Sequence, residues 1–380
     1  MKYVIVDVET TGATNGTKGN PFSASNNLVL SGIKLGTICN LIKGSPKVEF
    51  DSISKDCRWV GTNIKFDLHW LRRYGISLPK LIWDCQYAQY CIERQKQSYI
   101  SLDHCLAFYG YPPKLDVVRT EYWEKGIDTD EVPLEILSEY LEGDLIKTEQ
   151  VFKAQLNYLA DKPELYRLIL LGMDDILVTC EMEWNGLYYN LEASLLEGRK
   201  TSLVIEEIDA ELRKYANGFN LNFNSNDHIS AFLYGGVVKD KYREVYYQTL
   251  KSGEVKRKER WSIRELQFPA LVPHIKGTEV AKGGYYAVNE DTLIKAAVKA
   301  NKKGKHVIDL LLKRAKLEKL QSSYYEGIPK LYYEMDWTNG ILHGTLNHGI
   351  TRTSRIASSR PNQQNIPDEA RLFLESRFPT

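Results

Sequence analysis

The chain has 380 residues, of which 43% are hydrophobic, and a formal net charge of +1. This length and composition predict two or three domains with sizeable cores, and no apolar run reaches the roughly twenty residues that a membrane-spanning helix needs. The sequence opens directly on a strand-like stretch, so we expect no signal peptide. Its six cysteines form no CxxC pair, which is typical of reduced, buried thiols in a cytoplasmic protein and argues against a zinc site or a disulfide framework.

The first predicted element is a strand that carries two acids. Residues 4–8 are rich in β-branched side chains, which predicts a buried strand. Asp7 and Glu9 alternate along it and therefore point to the same face. Two neighbouring buried carboxylates repel each other, and Mg²⁺ or Mn²⁺ is the usual remedy because both ions prefer carboxylate oxygen. Taken alone, the stretch is equally well explained as a strand edge before a turn.

The next segments predict the start of an α/β domain. Residues 12–27 form a polar loop, and residues 28–41 are a further strand with breaks at Gly32 and Gly36. Residues 46–55 predict an edge strand or a turn.

A short strand at residues 59–63 leads into a helix, because apolar side chains recur at helical spacing over residues 64–71. Asn63 is a candidate N-cap. Asp67 lies one turn into this helix, where the helix dipole alone would favour an acid. His69 lies beyond it, where we expect core packing or exposure to solvent.

Helices and turns alternate over residues 83–111, with Asp84 and Asp103 as candidate caps. Residues 112–133 carry prolines and charges, which indicates a surface connection.

A long helix follows Pro133, with leucines spaced for burial of one face. Tyr140 and Asp144 are four residues apart on it, so they share a face. Buried pairs of this kind are often purely structural.

Together these segments resemble the tyrosine-bearing branch of the DEDD exonucleases, the 3′→5′ proofreading exonucleases of DNA polymerases. The matching motifs, in the family's order, are D-x-E at Asp7 and Glu9, N-x-x-F-D from Asn63 to Asp67, and Y-x-x-x-D from Tyr140 to Asp144. The combination is far more specific than any one motif. It implies an RNase H-like α/β fold, a mixed sheet flanked by helices, over residues 1–160.

The same resemblance implies roles for individual residues. Tyr140 would orient the attacking water, and Thr10 and Asn63 would lie near the terminal nucleotide. Two Mg²⁺ or Mn²⁺ ions would be bound by four acids: Asp7, Glu9, Asp67 and Asp144. Such ions activate a water and stabilise the leaving 3′-oxygen.

The second half of the chain is predicted to be mostly helical. Residues 295–320 carry nine lysines or arginines against two acids, which suits a phosphate backbone but is also common on a solvated helix face. The other predicted elements are helices at 163–183 and 191–217, a strand near 187–190, an asparagine-rich turn at 220–229, a basic β-hairpin at 242–262 turning at 251–253, and lysine-rich helices from 291 to 325.

From residue 182 onwards the sequence resembles the family A DNA polymerases. The strongest match is residues 351–367, close to the family pattern T-x-T-G-R-L-S-S-S-x-P-N-L-Q-N-I-P. Weaker matches lie at 182–187, 220–229 and 314–324. The strongest match departs from the pattern at four positions: Ser354, Ile356, Ala357 and Gln363.

The resemblance implies an incomplete polymerase domain over residues 161–380, with a thumb at about 191–325 and a second palm segment at 326–380. It looks most like a bacteriophage member, acting in DNA replication in the host cytoplasm. Single-stranded 3′ ends and primer-template duplex would be the DNA partners. The residues expected to contact this DNA are Arg314, Lys319, Arg355, Asn362 and Gln364.

The carboxylate motifs of the catalytic palm and the fingers do not occur in this sequence. We therefore expect no polymerisation by this chain alone. A separate C-terminal polypeptide as partner is the preferred explanation; a truncated reading of a longer protein, or a fragment that works by itself as an exonuclease, are the alternatives. A non-catalytic DNA-binding scaffold subunit is the alternative function. A ribonuclease is a further one, because some DEDD exonucleases trim RNA.

Overall fold

The computed structural model describes residues 2–376 except 15, 18, 55, 217, 218, 220, 251, 252 and 282. The chain divides into two compact units. One comprises Met1–Ser194 and Gly327–Thr380, and the other comprises Leu195–Glu326. No division falls at residue 160, where the sequence suggested a domain boundary. The predicted turn at residues 251 and 252 lies outside the described residues.

The helices and strands can be numbered in chain order. They are β1 (Tyr3–Thr10), β2 (Leu28–Leu35), β3 (Ile38–Lys43), α1 (Lys47–Asp51), β4 (Arg58–Gly61), α2 (Ile64–Arg73), β5 (Ile82–Asp84), α3 (Cys85–Ile92), α4 (Leu102–Phe108), α5 (Val117–Glu121), α6 (Leu134–Leu159), α7 (Pro163–Asn185), β6 (Leu187–Tyr189), α8 (Leu191–Tyr215), α9 (Asn226–Tyr234), β7 (Gly236–Thr249), β8 (Val255–Phe268), α10 (Glu290–Lys299), α11 (Lys302–Leu320), α12 (Gly327–Glu334), β9 (Ile341–Leu342), β10 (Thr345–Asn347), β11 (Ala357–Ser359), α13 (Asp368–Arg371) and β12 (Leu374–Glu375).

The first unit is built on a five-stranded mixed sheet with the strand order β3-β2-β1-β4-β5. Strand β2 pairs antiparallel with both β1 and β3, and β4 and β5 run parallel to β1. The central strand β1 is apolar at Val4, Ile5 and Val6, each at most 1% exposed. Burial on both faces explains its β-branched composition, and the strand predicted at the N-terminus is confirmed.

Helix α6 packs directly on β1 and β2, and Gly32 is the reason that it can come so close. Gly32 lies in the middle of β2, opposite Asp7. A Cβ atom at this position would lie 2.7 Å from Leu145 Cδ1 of α6. The strand break predicted at Gly32 is therefore wrong: the glycine serves close helix packing. The break predicted at Gly36 is confirmed.

Two other local expectations need correction. Residues 46–55, predicted as an edge strand or turn, contain the short helix α1. Residues 112–133, expected to be a plain surface connection, include helix α5. Phe50 on α1 is 1% exposed and contacts Trp59. Burial of this one aromatic ring accounts for the helix, and the described residues 47–51 show no alternation of buried and exposed residues typical of a strand.

A buried charge network joins distant segments of the first unit. Lys65 Nζ of α2 lies 2.6 Å from Glu183 Oε1 of α7, and His69 Nε2 lies 2.7 Å from Glu183 Oε2. The Leu346 amide of β10 donates to Glu183 Oε1 at 2.5 Å. His69 is 3% exposed, which confirms core packing. One carboxylate thus ties together three segments that are far apart in sequence.

The second unit has its own apolar core, to which α8, α9, α10 and α11 contribute. Fully buried members include Leu212, Phe232, Ala296 and Ile308. Strands β7 and β8 form an antiparallel ribbon from Gly236 to Phe268. The ribbon is longer than the hairpin predicted at 242–262.

A search of the described residues for membrane-spanning segments finds none: their helices are too short or too polar to cross a bilayer.

Candidate active site

Three carboxylates converge at the junction of β1 and α6. Asp7, Glu9 and Asp144 each place one carboxylate oxygen within 4.8 Å of the other two. The pleat of β1 turns Asp7 and Glu9 to one face, and the close packing of α6 at Gly32 brings Asp144 against them. Glu9 and Asp144 are each 7% exposed. The structure therefore assembles acids that are more than 130 positions apart in the sequence.

Asp67 joins this cluster from the first turn of α2. The Val8 amide donates to Asp67 Oδ1 at 3.1 Å and to Asp7 Oδ1 at 3.0 Å. The carboxylates of Asp7 and Asp67 therefore accept from the same amide. Asp67 is 3% exposed. All four acids singled out in the sequence thus lie together.

Tyr140 lies at the cluster with a partner that the sequence did not suggest. Lys114 Nζ donates to the Tyr140 hydroxyl and to Asp144 Oδ2, both at 2.6 Å. Its ammonium also lies 4.6 Å from the centre of the Tyr140 ring. The Lys114 amide donates to Asp103 Oδ1 at 2.9 Å. Asp103 therefore helps to position Lys114, although its predicted role as a helix cap is taken by Ser101.

The electrostatics of the cluster follow from this crowding. Burial, followed by the charge of Asp144, raises the pKa of Asp7 to about 7. Burial and the charge of Asp7 raise the pKa values of Glu9 and Asp67 well above their ordinary range. Burial lowers the pKa of Lys114, but Asp144 and Tyr140 more than offset this, so its pKa is raised. Lys114 therefore remains a cation and partly neutralises the acids.

This donor set fits a hard divalent cation. Convergent carboxylate oxygens with raised pKa values repel each other as anions, and Mg²⁺ or Mn²⁺ relieves that repulsion while preferring oxygen ligands. Asp7, Glu9 and Asp144 offer the three convergent oxygens, and Asp67 adjoins Asp7.

The raised pKa of Asp7 predicts a pH dependence of the metal-free protein. A carboxyl whose pKa rises from an ordinary value near 4 to about 7 on folding binds its proton more tightly in the native state. Stability is therefore lost as the pH rises through that window, and the penalty is complete above pH 7. In EDTA at pH 8, Asp7→Asn should raise the melting temperature by about 3–6 °C, and at pH 5 by much less.

Thermal unfolding at the two pH values checks this expectation. Glu135→Gln, at an exposed position on α6, is the matched control and should leave the melting temperature nearly unchanged. A lower melting temperature for Asp7→Asn than for wild type at pH 8 would contradict the expected repulsion.

The two residues expected near a terminal nucleotide lie on or next to elements that carry the acids. Thr10 ends β1 and is 9% exposed. Asn63 is exposed and has a left-handed backbone with φ of 57°. It stands at the N-cap position of α2, but its side chain makes no capping bond. Asp84 takes that role, accepting from the Ile64 amide at 3.0 Å and from the Tyr87 amide at 3.0 Å. The predicted cap at Asp84 is thus confirmed.

The residues expected to touch duplex DNA fall into two groups. Lys319, Arg355, Asn362 and Gln364 are exposed. Arg314 is 6% exposed, and its guanidinium bonds Asp209 Oδ1 at 2.5 Å and Asn224 Oδ1 at 2.7 Å. These bonds hold the Arg314 side chain inside the second unit, so it is not exposed to duplex DNA as the sequence suggested. Its burial shows why a basic run does not reveal which cations face solvent.

The sequence is similar to known DNA polymerases. Residues 239–377 match the model of DNA polymerase family A. The chain is 25% identical over 313 residues to DNA polymerase I of Synechocystis sp., covering 80% of this chain and 26% of that protein. It is 24% identical over 315 residues to DNA polymerase I of Bacillus subtilis, covering 82% and 30%. The chain thus spans under a third of the length of these relatives.

A solved structure has a similar fold. It is the POL domain of Pol1 from M. smegmatis in complex with DNA primer-template and dNTP, with a TM-score of 0.66 at 16% identity. The alignment covers 98% of this chain and 53% of that one. The sequence comparisons relate this chain to the family A DNA polymerases, with the family's domain matched over residues 239–377.

Proposed function

We propose that this chain is the proofreading portion of a family A DNA polymerase: a metal-dependent 3′→5′ DNA exonuclease with a surface for primer-template DNA. The observation that carries the proposal is the convergence of Asp7, Glu9 and Asp144, joined by Asp67 and Tyr140. The sheet order β3-β2-β1-β4-β5 supports an RNase H-like domain. The similarity to DNA polymerases I supports DNA as the substrate class.

The four acids would hold the divalent ions, which supply a water of lowered pKa and stabilise the leaving 3′-oxygen. The Tyr140 hydroxyl stands beside Asp144 and is fixed by the hydrogen bond from Lys114. Burial and the charge of Asp144 raise its pKa, so Tyr140 stays protonated at neutral pH. It can therefore donate a hydrogen bond that orients the water, and it does not serve as the base.

Hydrolysis of a 5′-labelled single-stranded DNA tests this function. With Mg²⁺, the wild-type chain should yield a ladder that shortens from the 3′ end, and EDTA should stop it. Tyr140→Phe should slow the reaction by about 3- to 10-fold, because it removes one orienting hydrogen bond, worth about 0.5–1.5 kcal/mol. A wild-type chain that binds the DNA and Mg²⁺ without cleaving it would contradict the exonuclease and favour the scaffold alternative. An RNA strand of the same sequence, cleaved as fast, would favour the ribonuclease.

We further propose that Arg355 contacts the duplex. It is exposed on the loop that precedes β11, and this loop is anchored where the Tyr90 hydroxyl donates to the Thr351 carbonyl at 2.5 Å. Arg355→Ala should weaken duplex binding by about 3- to 10-fold, with a shallower salt dependence, and should spare single-strand digestion. Arg167→Ala, an exposed arginine on α7, is the control. Equal losses of duplex affinity in the Arg355→Ala and Arg167→Ala variants would contradict the proposed contact.

The separate C-terminal polypeptide stays a prediction, as do the bacteriophage origin and the cytoplasmic location. Co-purification of this chain with a polypeptide that carries the catalytic palm carboxylates would support the partner. Nucleotide addition by this chain alone would contradict it.

A further inference from the structure

The β7–β8 ribbon extends away from the core of its own unit. Its base is anchored by Val238 and Phe268, which are 1% and 4% exposed. Between these two residues, none of the described side chains on either strand is buried. Fourteen consecutive residue pairs from Gly236↔Phe268 to Thr249↔Val255 nevertheless keep an unbroken antiparallel register. Neither face of the ribbon is therefore covered by the rest of the unit. An isolated two-stranded ribbon is only marginally stable, so a partner on either face would stabilise it.

The register sorts the side chains onto two chemically different faces. Residues directly opposite each other share a face, and neighbours along a strand alternate. We call the first face the tyrosine face; it carries Tyr242, Glu244, Tyr246, Lys256, Lys258, Arg260 and Arg264. The opposite face, which we call the tryptophan face, carries Lys239, Lys241, Arg243, Val245, Tyr247, Val255, Arg257, Glu259, Trp261, Ile263 and Glu265.

The two faces differ in how their charges are paired. On the tryptophan face, Glu259 pairs with both Arg243 and Arg257. That face also exposes aliphatic side chains, such as Ile263 at 61%. On the tyrosine face, Glu244 pairs with Arg260. Lys256 and Lys258 are exposed, and within the described part of the chain no acid forms an ion pair with either.

The aromatic rings of the tyrosine face are covered by cations. The Arg260 guanidinium lies 5.2 Å from the centre of the Tyr246 ring, and that of Arg264 lies 5.4 Å from the Tyr242 ring. Covered rings are poor platforms for the unstacked bases of a single strand, which need an open aromatic face. The same face presents positive charge at the far end of a ribbon, and a two-stranded ribbon fits the major groove of B-DNA.

We propose that the tyrosine face of the β7–β8 ribbon binds the phosphate backbone of duplex DNA, with Lys256 and Lys258 as principal contacts. The proposal takes from the proposed function only that DNA is the ligand. It adds a second DNA surface, in the other unit from the carboxylate cluster.

The test measures binding of the full chain to a short blunt duplex and to one of its strands, in EDTA over a series of salt concentrations. Hydrolysis plays no part, so failure of the exonuclease and failure of this proposal are distinguishable. Lys256→Gln with Lys258→Gln should weaken duplex binding by about 3- to 10-fold at 0.1 M salt. The slope of log affinity against log salt concentration should fall by about 2, because each of the two lost phosphate contacts contributes about 0.9.

Matched variants on the other face serve as controls. Lys239→Gln with Lys241→Gln removes the same charge from the tryptophan face and should change duplex affinity by less than about twofold. Equal losses on both faces, unchanged duplex affinity, a loss confined to the single strand, or no duplex binding by the wild-type chain would each overturn the proposal.

Discussion

Replacing Asp7 and Glu9 together with alanine should reduce hydrolysis of single-stranded DNA by at least about 10³-fold, a loss of several kcal/mol of transition-state stabilisation. These two residues supply two of the three convergent carboxylate oxygens, so the remaining acids no longer form a site for a divalent cation. DNA affinity in EDTA should stay within about twofold of wild type, because removing buried like charges leaves phosphate-binding cations in place.

The double variant should also fold. Burial and mutual repulsion raise the pKa values of Asp7 and Glu9, so their removal relieves an unfavourable interaction in the metal-free protein. The matched control is Glu135→Ala with Glu139→Ala, which removes two exposed acids of α6 and should keep full activity. Mn²⁺ titration by calorimetry provides a readout independent of cleavage. Retained hydrolysis or retained Mn²⁺ affinity in the Asp7, Glu9 variant would show that the site lies elsewhere.

Replacing Glu183 with alanine should destabilise the first unit by about 3–5 kcal/mol. Glu183 is 5% exposed, and its carboxylate accepts from Lys65, His69 and the Leu346 amide. Its pKa is lowered despite burial, because His69 and Lys65 stabilise the anion. Removing it leaves the 9% exposed Lys65 ammonium without its counter-ion, and an uncompensated buried charge is among the largest single destabilising effects.

The neighbouring surface pair is the control for Glu183. Glu181 lies 2.8 Å from Arg72, with half of its side chain exposed at 49%. Glu181→Ala should therefore cost less than about 1 kcal/mol. Urea unfolding followed by fluorescence, with activity of the folded fraction measured in parallel, checks both variants. A Glu183→Ala protein as stable as Glu181→Ala would show that the buried network contributes little to the fold.

Much of the local structure could be predicted from the sequence. The β-branched run at the N-terminus, the apolar periodicity of α2, α6 and α7, and the placement of Asp7 with Glu9 depend on periods of two or 3.6 residues, which are visible in any window of the chain. The basic ribbon was also recognisable, but its extent was not, because its outer pairs lie among residues without a strong strand pattern.

Other features depend on contacts between distant residues, which no window contains. Gly32 looked like a strand break until α6 was found to pack against it, with Leu145 in the space of its absent side chain. Lys114 gave no signal in its proline-rich segment, yet it bonds both Tyr140 and Asp144. Arg314 belonged to a basic run, but its partners Asp209 and Asn224 withdraw it from the surface.

The sequence by itself determined the residue types of the candidate site and their order along the chain, because motif spacing is a property of the chain alone. Only the tertiary structure decided that Asp7, Glu9 and Asp144 meet within 4.8 Å, that Lys114 partly neutralises them, and that Glu183 joins α2, α7 and β10. The physical reason is that convergence, burial and the resulting pKa shifts arise from side chains brought together through space. These quantities do not exist until β1 pairs in the sheet and α6 packs upon it.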